Sequence, residues 1–150
     1  MKIILILLFI VLMQCNYEPI YSAKSGQIKI YKIENNNNNR INKTLSSKLK
    51  YLETNNKADE IQILLGDSEE KKEIISKDTK GDPSKFRLKI ISSVDLKNKD
   101  KILFSNNYSV YFDYSNNSKK FELNQYEEEI KIDLINQIVS QIIFDLQQIK

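Results

Sequence analysis

Histidine and tryptophan are absent from this 150-residue chain, cysteine occurs once, and there are three glycines and two prolines. Without histidine, and with Cys15 as the one thiol, Ser-His and Cys-His nucleophile systems and the usual transition-metal ligand sets are excluded. A single cysteine allows no intramolecular disulfide, so stability must come from packing. Three glycines leave little room for phosphate-cradling loops, and no GxGxxG, P-loop or calcium-loop pattern occurs. Carboxylates, lysines and tyrosines remain for chemistry. The densest acidic group, Glu127, Glu128 and Glu129, lies around one helical turn, unlike glycosidase carboxylates, which face each other across a cleft. These absences read as a chain that is not an enzyme, with no catalytic residues, metal or cofactor. The net charge of +3 is near neutral for this length, and no basic and aromatic cluster resembles an RNA-binding motif, so nucleic acid is not expected as a partner.

What is present is concentrated at the amino end. Lys2 is followed by an unbroken apolar run from Ile3 to Met13, and then by Cys15. This is the charge and apolar core of a secretory signal. The run is too short for a transmembrane helix, which needs about 20 residues to cross a core of ~30 Å. Leu12 stands three positions before Cys15, which resembles the lipobox of bacterial lipoproteins, with Gln14 where a small residue is usual. The resemblance implies that residues 1–14 are a signal peptide cut before Cys15, whose thiol and new amino group then carry acyl chains such as palmitate. Residues 15–26 would be a lipidated tether and residues 27–150 one folded domain. The alternatives for Cys15 are a free thiol or an intermolecular disulfide. Each buried methylene contributes about 0.8 kcal/mol, so two or more chains make a stable anchor.

Lysine far outnumbers arginine, and Asn and Ile are abundant, as codon bias in an AT-rich genome would give. Sequons at Asn42-Lys43-Thr44, Asn107-Tyr108-Ser109 and Asn116-Asn117-Ser118 are expected by chance in such a chain. They would matter in the rival reading of a eukaryotic secreted protein.

Pro19 keeps the segment before Gln27 extended. Gln27 to Glu34 reads as a strand, with Ile28 and Ile30 on one face, ended by the Asn35–Asn39 tract. Arg40 to Glu53 reads as a helix with a narrow stripe of Ile41, Leu45, Leu49 and Leu52, capped by Asn38 or Asn39 and stopped by Asn55 and Asn56. Glu60 to Leu65 alternates as a strand, which Gly66-Asp67-Ser68 is expected to break. Residues 69–77 fit either a continuation after a bulge or a separate hairpin arm. Gly81-Asp82-Pro83 marks a turn.

Lys85 to Lys97 alternates cleanly, with Phe86, Leu88, Ile90, Val94 and Leu96 on one face and Lys85, Arg87, Lys89 and Asp95 on the other. Asn98 to Asp100 turns the chain. Ile102 to Tyr114 then places Ile102, Phe104, Tyr108, Val110, Phe112 and Tyr114 in phase on a buried face. After a polar loop, Asn124 and Glu127 resemble a capping box, and the acidic triplet fills the first turn of a helix running to about Ile149. Its wide stripe is Ile130, Leu134, Ile138, Ile142 and Leu146, joined by Ile135, Val139 and Ile143. The fold expected is α+β: a two-layer sandwich, with two helices on one face of a mostly antiparallel sheet of about four strands.

The residues Cys15-Asn16-Tyr17-Glu18-Pro19-Ile20-Tyr21 resemble the mature start of the LptE family of lipopolysaccharide-assembly lipoproteins, with Asn16 in place of the common glycine. The strand-helix-strands-helix order, a glycine turn before the third strand and a long last helix add to the likeness, making residues 27–150 an LptE-like domain. The resemblance implies a non-enzymatic outer-membrane lipoprotein of a Gram-negative bacterium, on the periplasmic side. It implies a plug inside an LptD-like outer-membrane β-barrel that places lipopolysaccharide in the outer leaflet, with contact to lipopolysaccharide itself. The alternative is a generic periplasmic lipoprotein that binds another partner. On the first reading Lys85, Arg87 and Lys89 are candidates for lipid A phosphates, arginine in bidentate fashion and lysine as a point charge. The other account of that triplet is a solvated face kept charged for solubility and edge protection. Tyr17, Pro19 and Tyr21 are candidates for contact with barrel or headgroups, or lie along their own domain. Residues 116–120 form a loop-tip candidate for the same contacts.

Overall fold

The computed structural model describes residues 30–54, 61–99 and 101–148. Strand β1 (Lys32–Asn35) leads through the Asn tract into helix α1 (Arg40–Leu49) and a 3-10 turn (Lys50–Leu52). Three long strands follow, β2 (Ile61–Lys77), β3 (Pro83–Asn98) and β4 (Lys101–Ser115), and then helix α2 (Lys120–Gln148). The sheet order is β1-β2-β3-β4, with β1 parallel to β2 and the other pairs antiparallel. This is the α+β two-layer arrangement read from the sequence, in a mixed sheet.

The helices bury their apolar stripes on one sheet face. Leu45 and Leu49 of α1, and Ile130, Leu134, Ile135, Ile138, Ile142 and Leu146 of α2, meet Ile63, Leu65, Leu88, Ile90, Val94 and Leu96. Alternation along β3 is complete, since every second residue from Phe86 to Leu96 is buried. Asn39 is the N-cap of α1, and its Oδ1 accepts from the Asn42 N–H at 2.8 Å. This satisfies one of the donors that a helix start leaves open.

Four local expectations are corrected. Gly66-Asp67-Ser68 does not end a strand. Leu65 pairs with Val94 and Ser68 with Ser92, so Gly66 and Asp67 together face Ser93 in a bulge, and β2 continues to Lys77. A Cβ on Gly66 would stand 2.3 Å from Ser93 Oγ, which is why glycine fits there. Secondly, α2 begins at Lys120, so Asn124 lies inside the helix and no capping box forms. Burial of Leu123 draws the first turn onto the sheet, and Asn117 Oδ1 accepts the Lys119 N–H at 3.0 Å. Thirdly, Ile102 does not share the buried face. A register shift at Leu96/Lys97 sets it opposite Lys97 on the open side, 53% exposed. Fourthly, Phe112 has the expected phase but lies on the edge strand and stays 43% exposed.

The α1 stripe ends in the 3-10 turn rather than in continuous α-helix to Glu53. The Asp78–Asp82 turn forms as expected: Asp78 Oδ1 accepts the N–H of Lys80 at 2.8 Å and of Asp82 at 2.9 Å, and Gly81 takes φ 87°. Gln27 to Lys29 of the first expected strand, the Asn55-Asn56 stop and Ile149 lie outside the described residues.

Candidate functional site

The face of the sheet turned away from the helices is open and mostly polar, with Ile91, Ile102 and Tyr111 among its polar side chains. Lys85, Arg87 and Lys89 share it on β3, as the alternation requires. The three are not equivalent. Arg87 grips Asp113 of β4 in a fork, Nε to Oδ1 at 2.7 Å and Nη2 to Oδ2 at 2.8 Å. Its guanidinium also lies 4.2 Å from the centre of the Tyr111 ring. The bond to Asp113 raises the Arg87 pKa, and the same bond holds the Asp113 carboxyl below its ordinary range. Arg87 is thereby a clip between β3 and β4, and its donors toward Asp113 are taken.

Among the described residues neither Lys85 nor Lys89 makes a direct ion pair, although the charge of Lys85 also acts on the Asp113 carboxylate and helps hold its pKa down. The antiparallel register sets Lys89 opposite Lys71 of β2 on one side and Tyr111 on the other. Lys71 is tied to Glu69 at 2.7 Å, and Glu73 stands opposite Arg87. The arrangement presents two ammonium groups without a direct ion pair, Lys85 near Asp113 and Lys89 with Lys71 beside it. Like charges directly opposite each other, as at Lys71 and Lys89, are unfavourable, and here Glu69 and Glu73 act on the Lys71 ammonium. Sequence alternation found the triplet but not Lys71, Tyr111 or Asp113, because only strand register brings these together.

A second polar system lies on the helix side and is structural. Beyond the bulge, even-numbered β2 residues face α2. Lys72 Nζ donates to Glu127 Oε1 at 2.6 Å, and the Tyr114 hydroxyl donates to the same oxygen at 2.8 Å. Lys131 joins Glu70 at 2.8 Å and Glu128 at 3.0 Å, and Arg40 of α1 reaches Glu128 at 2.9 Å. Burial works to raise the Glu127 pKa, but the bonds from Lys72 and Tyr114 outweigh it and the net shift is downward. Burial and the bond to Glu127 both raise the Tyr114 phenol. Glu127 thus ties α2 to β2 directly, and Glu128, through Lys131 and Arg40, links α2 to β2 and α1.

A third network fixes the bulge. Asn42 is fully buried, and its Nδ2 donates to Gly66 O at 2.7 Å and Asn37 O at 3.0 Å. Its Oδ1 accepts from the Ser68 hydroxyl, which lies 2.8 Å from the hydroxyl of buried Ser92. Burial of Asn42 also closes that sequon in the folded domain, whereas Asn107 is exposed.

The contact candidates Tyr17, Pro19 and Tyr21, and the lipidation candidate Cys15, lie outside the described residues. In the loop-tip candidate, Asn116 is held by its Nδ2 bond to Pro83 O at 2.8 Å, while Ser118, Lys119 and Lys120 are exposed. No helix among the described residues is long and apolar enough to cross a membrane, and no group of residues there suits a metal ion.

Comparison with known proteins agrees with this geometry. Among solved structures, the fold is similar to a minor lipoprotein from Acinetobacter baumannii, with TM-score 0.57 and 12% identity over 81% of this chain and 92% of that one. It is similar to the rare lipoprotein B of Shewanella oneidensis, with TM-score 0.55 and 13% identity over 77% of this chain and 98% of that one. A putative lipoprotein from Caulobacter crescentus gives TM-score 0.55 and 14% identity over 81% of this chain and 90% of that one. No curated protein matches the chain in sequence. The family model of LptE, lipopolysaccharide-assembly, matches residues 26–146, from just before β1 almost to the end of α2, and the chain belongs to that family.

Proposed function

We propose that the chain is a non-enzymatic lipoprotein of the outer membrane, held on the periplasmic side by acyl chains on Cys15, without any other cofactor. It sits as a plug and assembly partner in the lumen of an LptD-like β-barrel, and it helps lipopolysaccharide pass to the outer leaflet. Family membership supports the role in lipopolysaccharide assembly. The open sheet face supports the placement, because barrel lumens are polar and this face carries Lys, Ser, Asn and Asp side chains.

The observation that carries the lipid contact is the pair of lysines without a direct ion pair, Lys85 and Lys89, on a face where the neighbouring arginine is already paired. Phosphates of lipid A fit there as point-charge partners of the ammonium groups. Arg87 acts as a support that holds β4 beside them, not as the leading phosphate ligand. Tyr17, Pro19 and Tyr21 contribute contact to barrel or headgroups near the anchor.

Purification of the tagged chain in mild detergent tests the partnership. Recovery with a lipopolysaccharide-assembly barrel is the expected result. Recovery alone, from cells in which such a barrel is abundant, would point to a lipoprotein with a different partner.

A further inference from the structure

The seam between β4 and α2 holds two depressions of about 540 and 630 Å³, within the ordinary span of small-molecule sites. The first joins residues 106–109 of β4 to residues 140–145 of α2. The second joins residues 112–117 to the start of α2 at residues 122–126. Tyr108 of the first and Tyr114 of the second stand about 20 Å apart along one strand.

The two are built alike. Each has an aromatic ring exposed beside it, Phe144 at 60% in the first, Phe112 and Tyr126 at 43% and 45% in the second. Each sets a carboxylate among amides: Asp145 with Asn107 and Gln141, and Glu122 with Asn116 and Asn117. Neither is lined by a lysine or arginine, although the chain carries 23 of them. The first is also arranged in advance. The hydroxyl of buried Tyr108 donates to Asp145 Oδ2 at 2.8 Å, and Asn106 Nδ2 donates to the same oxygen at 3.2 Å. Asp145 Oδ1 and the Gln141 amide take no bond from the described residues.

This chemistry suits an uncharged ring bearing hydroxyls. A carboxylate accepts from neighbouring hydroxyls, and a carboxamide both donates and accepts. An exposed phenyl ring covers the apolar C–H face of a sugar. A phosphate would meet Asp145 or Glu122 with no cation in the lining, so the seam and the lysine face select different parts of a ligand.

We propose that the β4–α2 seam binds a neutral oligosaccharide, with Asp145, Gln141 and Phe144 holding one sugar and the depression beside Phe112 and Tyr126 a later one. Both subsites lie across the sheet from β1, where the described chain enters at Ile30. Naming the saccharide of lipopolysaccharide as the source rests on the proposed function; the sugar chemistry does not.

Titration of the full chain carrying Cys15→Ser, in a detergent without a sugar headgroup, tests this. The probes are the saccharide of lipopolysaccharide stripped of lipid and phosphate, maltohexaose, and inorganic phosphate. The expected result is that the stripped saccharide binds, that Asp145→Asn weakens it about tenfold, and that Gln141→Ala with Phe144→Ala does the same. Gln141 and Phe144 are exposed, so the second variant keeps its fold even where the first does not. Ile132→Ala, elsewhere on α2, should bind as the parent does. Binding of maltohexaose alone, with the same pattern of variants, upholds the sugar site and overturns its source. Failure of both saccharides, equal binding by the seam variants, or competition by inorganic phosphate overturns the site. Whole lipopolysaccharide still bound in that case would leave the proposed function standing.

Discussion

Arg87 of β3 and Asp113 of β4 share two parallel hydrogen bonds of 2.7 and 2.8 Å across the open face of the sheet. That one pairing separates Lys85, Arg87 and Lys89 of β3 into a strand clip and two lysines without a direct ion pair. The division can be measured.

Lys85→Glu with Lys89→Glu should weaken lipopolysaccharide binding by tenfold or more, about 1.4 kcal/mol at least, with little change in the unfolding midpoint. Arg87→Ala should do the reverse, lowering stability modestly and binding less. Titration of each variant with lipopolysaccharide, beside a urea melt, separates the two roles. Equal binding by the double variant would assign the lysines to solubility alone.

Asn42→Ala should cost about 2–4 kcal/mol in urea unfolding, because it strands the Gly66 carbonyl and the Ser68–Ser92 hydroxyl pair in the core. Asn37→Ala, which leaves the Asn37 carbonyl in place, should cost far less.

Acid should loosen the α2–β2 clamp. The Glu127 pKa is lowered in the folded state, so its contribution is present above the ordinary glutamate value of 4.5 and is lost as pH falls through the lowered folded value. Glu127→Gln should flatten the acid limb of a stability profile. The Tyr108 and Tyr114 phenols are raised, by burial and then by Asp145 and Glu127 respectively. Their contribution is complete below the ordinary value of 10.0 and is lost as pH rises through the folded values. Ultraviolet titration should show both phenols ionising only as the domain unfolds.

Cys15→Ser should leave the far-ultraviolet spectrum of the domain unchanged and release the protein from tight membrane association. Fractionation after a high-salt wash reads this directly. Unaltered membrane retention of the variant would count against acylation as the anchor.

Most of the architecture was legible because period and phase are local. The alternation of Phe86 to Leu96 and the four-residue rows from Ile130 to Leu146 each state their buried side without help from the rest of the chain. The misreadings share one cause: a tertiary contact decided what local chemistry left open. Gly66 reads as a breaker until Ser93 and Asn42 are seen to hold its bulge. Asn124 reads as a cap until Leu123 is found buried one residue earlier. Ile102 reads as core until the shift at Leu96/Lys97 turns it outward. The Asn39 cap of α1 was legible in the tract; that Asn39 also donates to Ser68 O at 2.8 Å was not. The basic triplet was visible in sequence; that Asp113 had already claimed its arginine was not, since the two lie 26 residues apart.

Photo-cross-linking in living cells tests the central claim most directly. A photoreactive residue at position 89 should give a lipopolysaccharide adduct, while one at Ile132, exposed on the helical side, should not. Absence of the adduct at positions 85 and 89, in cells where the chain is recovered with its barrel, would contradict the account.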